Sequence, residues 1–253
     1  MRRIKLIIAY DGTEYSGWQI QPEAPTIEMY LDKAIRELTG ENVHVTGASR
    51  TDAGVHAYGN VAVFDTESTI PGDRFTFALN RFLPDSIVIQ DSWEVSGDFH
   101  PRHCNTRKTY EYRILNTAVP LPQKRNFTWH VTGSIDIEKM KEAAAYIVGE
   151  HDFKSFCCVR TQAESTVRTI YSLEVLQEGS EIIICIKGNG FLYNMVRIIT
   201  GTLIQVGKGR FKPEYVKQML EAKDRTVAGQ TAPPQGLTLV GIEYVDNDDA
   251  RVV

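Results

Sequence analysis

The chain has 253 residues, 42% of them hydrophobic and 24% charged, with a formal net charge of −4. That length allows one large domain or two small ones and can bury roughly 70–75% of the unfolded surface. No apolar run approaches the ~20 residues of a membrane span, and the basic-then-apolar start from Met1 to Tyr10 is too short for a signal peptide and runs into Asp11-Gly12 without a small-residue cleavage pattern, so a soluble, cytoplasmic protein is expected.

The elements follow in order. Residues 3–10 read as a strand, and Thr26 to Leu38 as a helix with Ile27, Leu31, Ala34, Ile35 and Leu38 on one face. Thr26 can cap that helix, Glu28 suits its positive end and Gly40 can stop it. Strands are expected at 42–48 and 58–65, then a helix from Gly72 to Phe82 with Phe75, Ala78, Leu79 and Phe82 inward, then a strand from Ile87 to Val95. The second half repeats the pattern. A strand from Arg107 to Leu115 precedes a helix from Asp136 to Val148, with Ile137, Met140, Ala144 and Ile147 inward and Gly149 as its stop. Strands at 166–177 and 181–187 turn at Glu178-Gly179, a helix runs from Phe191 to Val206, another starts at Pro213, and a strand from Gly236 to Tyr244 closes the chain. Both halves give the order β-α-β-β-α-β, which predicts an α+β fold of two ferredoxin-like halves with mainly antiparallel sheets joined around a central cleft. The expected domains are residues 1–100 and 101–253, with the boundary near 97–106, where Gly97, Pro101 and polar residues interrupt the periodicity.

The net charge argues mildly against nucleic-acid binding, but the charges are uneven. Arg102, His103, Arg107, Lys108 and Arg113 form one cationic cluster, Lys208, Arg210 and Lys212 another, and Asp246, Asp248 and Asp249 offset them near the C-terminus. Each cluster is either a solvated surface or an anion-binding one. Cys104, Cys157, Cys158 and Cys185 show no C-x-x-C pair or His spacing and are expected as reduced thiols. Asn126-Phe127-Thr128 matches a glycosylation sequon that has no meaning in a cytosolic chain.

Several motifs are excluded. Thr51 stands where a nucleophile elbow needs glycine, and Gly188-Asn189-Gly190 lacks the third glycine of a dinucleotide fingerprint because position 193 is Tyr193. There is no P-loop and no H-E-x-x-H, so no nucleotide cofactor or metal is implied. What remains is the dense polar stretch Gly47-Ala48-Ser49-Arg50-Thr51-Asp52-Ala53-Gly54-Val55-His56-Ala57, a loop between two expected strands. Asp52 is either a nucleophile kept ionised by a nearby arginine or a turn cap paired with Arg50. Arg197, in the apolar run Phe191 to Ile199, either shares a wet stripe with Asn194, Gln205 and Lys208 or is buried against an anion such as Asp52 or a phosphate. Tyr110 and Tyr112 share one face of a strand between cations, which suits nucleobase stacking on an open sheet as well as core packing. Two rivals to an Asp52 nucleophile are an RNA-binding module without chemistry, which leaves Arg50, Asp52 and Arg197 idle, and a glycosidase, which needs a second catalytic carboxylate.

Taken together, these motifs resemble the tRNA pseudouridine synthase A family. The similarity runs through Tyr10-Asp11-Gly12, Tyr15, Gly17-Trp18-Gln19 and Gln21, the loop Arg50 to Ala57, Phe99-His100, Arg102, Lys108-Thr109-Tyr110, Gly149 to Phe156, Gly190 to Tyr193 with Met195-Val196-Arg197, and Pro233 to Leu237, in family order over nearly the whole chain. The resemblance implies isomerisation of uridine to pseudouridine at positions 38, 39 and 40 of the tRNA anticodon stem-loop, without a cofactor, by a homodimer whose partner is tRNA. It also implies Asp52 as nucleophile, Arg50 acting on the flipped-out nucleotide or its phosphate, Arg197 holding Asp52 ionised and Tyr110 stacking on the uracil. Thr51, His56, Arg102, Lys108 and Leu237 complete the expected substrate-binding set. Ser49 departs from the commoner glycine, and a positive φ there would strain a serine.

Overall fold

The computed structural model describes residues 1–158 and 163–245, so Asp246, Asp248 and Asp249 lie outside the described residues. Two units emerge: Met1–Thr106 with the segment from Leu239 onward, and Arg107–Thr238. The first contains β1 (Arg2–Tyr10), α1 (Ile27–Thr39), β2 (Thr46–Gly47), β3 (His56–Thr66), α2 (Phe75–Leu79) and β4 (Ile87–Val95). The second contains β5 (Thr106–Leu115), β6 (Trp129–His130), α3 (Ile137–Ala145), β7 (Gly149–Asp152), β8 (Val167–Glu178), β9 (Glu181–Gly188), α4 (Met195–Gly207) and α5 (Tyr215–Ala222). The last strand, β10 (Leu237–Tyr244), groups with the first unit from Leu239 on.

In the first unit the order is β4-β1-β3, with β2 pairing the far side of β3 and every pairing antiparallel, the arrangement of a ferredoxin-like sheet. β1 is buried on both faces: Ile4, Leu6 and Ile8 on one, Lys5 and Ile7 on the other. Lys5 is sheltered by aromatic rings, its Nζ lying 4.8 Å from the Trp93 and Phe99 centroids and 4.5 Å from that of Tyr244. These rings receive a cation that would otherwise be costly to bury. In the second unit the order is β5-β9-β8-β7, again antiparallel, with the two-residue β6 added parallel to β5. α3 packs on β8 and on α4. The fold is mixed α+β with mostly antiparallel strands, as the element order predicts.

Local departures have local causes. Thr26 stands at the N-cap of α1 without a capping bond, while the Ile27 and Glu28 amides donate to the Gly17 and Trp18 carbonyls (3.2 and 3.0 Å). Gly40 does close that helix, in the left-handed region at φ 76°. The strand expected at 42–48 shrinks to Thr46–Gly47, and α2 is a single turn that leaves Phe82 exposed. Gly149 does not cap α3, which has ended by Ala145; at φ 115° it starts β7, which the sequence pattern had not revealed. α4 begins four residues later than expected because Asn194 adopts the left-handed region at φ 63°. It has no wet stripe: nearly all its residues, Gln205 included, are buried.

Candidate active site

The loop that joins β2 to β3 is gripped by the segment that follows β1. Trp18 N donates to Thr51 O (3.1 Å), Gly54 N donates to Tyr15 O (3.2 Å), and Val55 N closes a turn onto Asp52 O (3.1 Å). Gly12 and Gly17 make this approach possible, since a Cβ on Gly12 would lie 2.1 Å from Val55 O and one on Gly17 2.7 Å from Thr51 O. Gly17 also has φ +94°, where side chains are disfavoured. Beneath the loop, the Tyr10 hydroxyl meets Thr51 Oγ1 at 2.7 Å, and Asn60 Nδ2 donates to Ser49 O at 3.0 Å.

Burial then sorts the loop residues. Ser49, Thr51, Val55 and His56 are buried, Arg50 is exposed between two buried neighbours, and Asp52 is half-buried. The backbone thus turns Arg50 outward and leaves the Asp52 carboxylate partly open on a fixed frame. Ser49 is not among the described residues with positive φ, so the serine is accommodated without left-handed strain. His56, at 3% exposure, uses Nδ1 to accept from Gly12 N at 3.0 Å, with Asp11 Oδ1 at 3.2 Å from the same nitrogen. It ties β3 to the gripping segment. Arg102 reaches the loop from the end of the unit: its Nε donates to Gly47 O at 2.7 Å. Desolvation, and next the repulsion of nearby Arg50, lower the Arg102 pKa, while Glu28 opposes the shift. Arg102, anchored on Gly47 O, and the outward Arg50 thus bring two guanidinium groups to the two ends of residues 47–50.

The second unit assembles its own group of candidates. Tyr110 and Tyr112 share one face of β5, yet both are buried, at 7% and 0% exposure, rather than lying on an open sheet. Tyr112 is a core residue: its hydroxyl donates to Pro233 O at 2.6 Å and its ring meets Trp129 edge-on. Tyr110 contacts Phe191 edge-on, with centroids 5.2 Å apart. Arg197 is half-buried in the first turn of α4, donating from Nε to Ala232 O (2.8 Å) and from Nη1 to Asn194 Oδ1 (2.7 Å). Ala232 N in turn donates to Arg197 O at 3.0 Å, so residues 232–233 bind both Arg197 and Tyr112. Leu237 follows this segment and is 5% exposed. Lys108 pairs in register with Gly188, where a Cβ would meet Phe191 at 3.2 Å.

Part of the cationic cluster read from the sequence is engaged within the second unit. Arg113 is held by Glu111 (2.6 Å) and Glu181 (3.0 Å), and Arg107 lies over the Tyr171 ring. Asn60 was not singled out by the sequence, and neither the support that Tyr10 and Gly17 give the loop nor the bond from Arg197 to Asn194 was legible there; the one hint for Asn60 is its amide inside the apolar run of β3. No disulfide joins the four cysteines, all of them described residues; Cys104 Sγ donates to His100 O at 3.3 Å and Cys157 Sγ to Lys154 O at 3.4 Å. Among the described residues, no group of three or more His, Cys, Asp or Glu side chains is placed to hold a metal, and no helix is long and apolar enough to cross a membrane.

Comparison with known proteins identifies the family. The family model described as tRNA pseudouridine synthase matches residues 6–104 and 143–245, which include the gripped loop and α4. Among curated relatives, the tRNA pseudouridine synthase A of Ruminiclostridium cellulolyticum is 51% identical over 245 residues, covering 96% of this chain and 100% of that protein. Those of Acetivibrio thermocellus and Thermoanaerobacter sp. are 50% and 48% identical over 244 residues, with the same coverage. The chain belongs to the tRNA pseudouridine synthase family and is an isomerase that acts on tRNA.

Proposed function

We propose that the chain converts uridine to pseudouridine at positions 38, 39 and 40 of the tRNA anticodon stem-loop, as a homodimer, with Asp52 as the nucleophile. The observation that carries the nucleophile is the gripped loop, which presents a half-buried Asp52 beside an outward Arg50. A carboxylate there is partly desolvated yet keeps access to substrate, and a fixed frame removes much of the entropy of alignment.

The chemistry needs no electron transfer. The bond from ribose C1′ to uracil N1 breaks, the base rotates, and a bond forms from C1′ to C5. N1 takes up a proton and C5 releases one, so atoms balance. Asp52 forms a transient covalent bond with the ring or with C1′ and leaves with its electron pair. The target base has to leave its stack, which costs a few kcal/mol, and an aromatic surface offsets part of that cost. Tyr110 is assigned to stack on the uracil, with Leu237, Thr51 and His56 lining the nucleotide. Arg50 and Arg102 take the backbone phosphates with Lys108, and Arg197 keeps Asp52 ionised.

The decisive experiment is pseudouridine mapping on tRNA with the wild type and Asp52→Asn. The wild type is expected to modify the anticodon arm, while the variant binds tRNA but shows no release of the uracil C5 proton. Turnover near wild type in Asp52→Asn would overturn the nucleophile, and modification confined to other arms would overturn the positions.

A further inference from the structure

We propose that Tyr10 and Asn60 are positioning residues for the reaction: together they set the orientation of Arg50 and Asp52 by holding Ser49 and Thr51 from beneath. The proposal rests on the assignment of Asp52 as nucleophile.

Asn60 sits inside β3 with no solvent exposure. Its Oδ1 accepts from Val61 N at 2.9 Å, and its Nδ2 donates to Ser49 O at 3.0 Å and to the Tyr10 hydroxyl at 3.3 Å. A backbone amide can only donate and a backbone carbonyl can only accept, so these two partners fix which end of the side-chain amide is which. Tyr10, 4% exposed at the end of β1, places its hydroxyl 2.7 Å from Thr51 Oγ1. Since Asn60 delivers a hydrogen to the phenol oxygen, the phenol's own hydrogen is available for Thr51 Oγ1. The relay runs from Asn60 through Tyr10 to Thr51, with a branch to Ser49.

The two ends of this relay fall on either side of Arg50. Peptide units are planar, so fixing residues 49 and 51 restricts both the direction in which residue 50 projects and the entry of the chain into Asp52. Trp18 N holds Thr51 from the other side through its carbonyl at 3.1 Å. A buried polar network in the middle of an apolar strand is a costly feature for packing alone. Its contacts lie at the two positions that frame the outward arginine and precede the carboxylate.

The test is a double-mutant cycle read in turnover. Tyr10→Phe keeps the ring and its packing and removes only the hydroxyl. Its kcat on tRNA is expected to fall about tenfold, with KM within about twofold and little change in melting temperature, since small misplacements of reacting groups cost roughly this much or more. In a Thr51→Val background, or Thr51→Ala if that does not fold, Tyr10→Phe should change kcat by less than about twofold, because the partner through which it acts is gone. Wild-type kcat in Tyr10→Phe overturns the proposal, as does an equal loss in both backgrounds. Asp52→Asn measured alongside separates the two claims. Activity in that variant removes the nucleophile and the positioning role with it, whereas an inactive Asp52→Asn beside a fully active Tyr10→Phe removes the relay alone.

Discussion

Gly17 illustrates how much of the site depends on single residues far from the carboxylate in sequence. A methyl group there would sit 2.7 Å from Thr51 O and 3.2 Å from Ala53 N, both backbone atoms that cannot swing away, and the residue has φ +94°. Gly17→Ala is expected to cost about 1–3 kcal/mol in backbone strain and to displace the loop. Its kcat should fall more than the loss of stability accounts for at temperatures where the variant is still folded; wild-type turnover in the folded variant would show that the loop tolerates the shift. Asn194 has the complementary role in the second unit. It occupies the left-handed region at φ 63°, which asparagine tolerates, and there its Oδ1 accepts from Arg197 Nη1.

At the scale of elements, strand pairing carries pH dependence. Arg3 and Asp65 face one another in the β1–β3 register and form a two-point ion pair at 2.8 and 2.7 Å. The Arg3 hydrogen bonds hold the Asp65 carboxyl below its ordinary value, against the opposing effect of burial. A carboxylate depressed in the folded state stabilises above its unfolded pKa and loses that contribution as pH falls through the folded one. Because both groups are partly solvated, Asp65→Asn is expected to cost only about 0.5–1 kcal/mol at pH 7. The gap to wild type in urea unfolding should narrow as the pH falls from the ordinary carboxylate range through the depressed folded value and the wild-type carboxyl takes up its proton; a gap that stays constant with pH would mean the loss is one of packing. Elements also show where pattern and structure part. α4 reads from sequence as a helix from Phe191, but the left-handed Asn194 delays it, and that delay puts Arg197 in the first turn, within reach of Asn194 and Ala232.

At the scale of the whole molecule, the proposed homodimer is the property a single chain does not display. Sedimentation equilibrium is expected to give twice the 28.5 kDa of the chain at micromolar concentration, and a monomer that retains full activity would remove the dimer from the mechanism. The two units carry different parts of the candidate machinery: Arg50, Asp52 and Arg102 belong to the first, Tyr110, Arg197 and Leu237 to the second. That division follows the chain closely except at β10, whose residues from Leu239 group with the first unit although the element order assigns the strand to the second half.

The sequence by itself determined the α+β class, most of the long elements and the loop that carries Asp52. Strand alternation and helical spacing are local signals, and a loop dense in polar groups is conspicuous between apolar runs. Tertiary structure alone decided which polar residues support that loop and that both Tyr110 and Tyr112 are buried, with Tyr112 bonded to Pro233 O. Tyr10 and Thr51 are 41 positions apart, and Tyr112 and Pro233 are separated by 121. No local pattern encodes such pairs. A buried hydrogen bond is chosen by which groups the folded backbone brings within 3 Å after water has been excluded, and that choice exists only once the strands have paired.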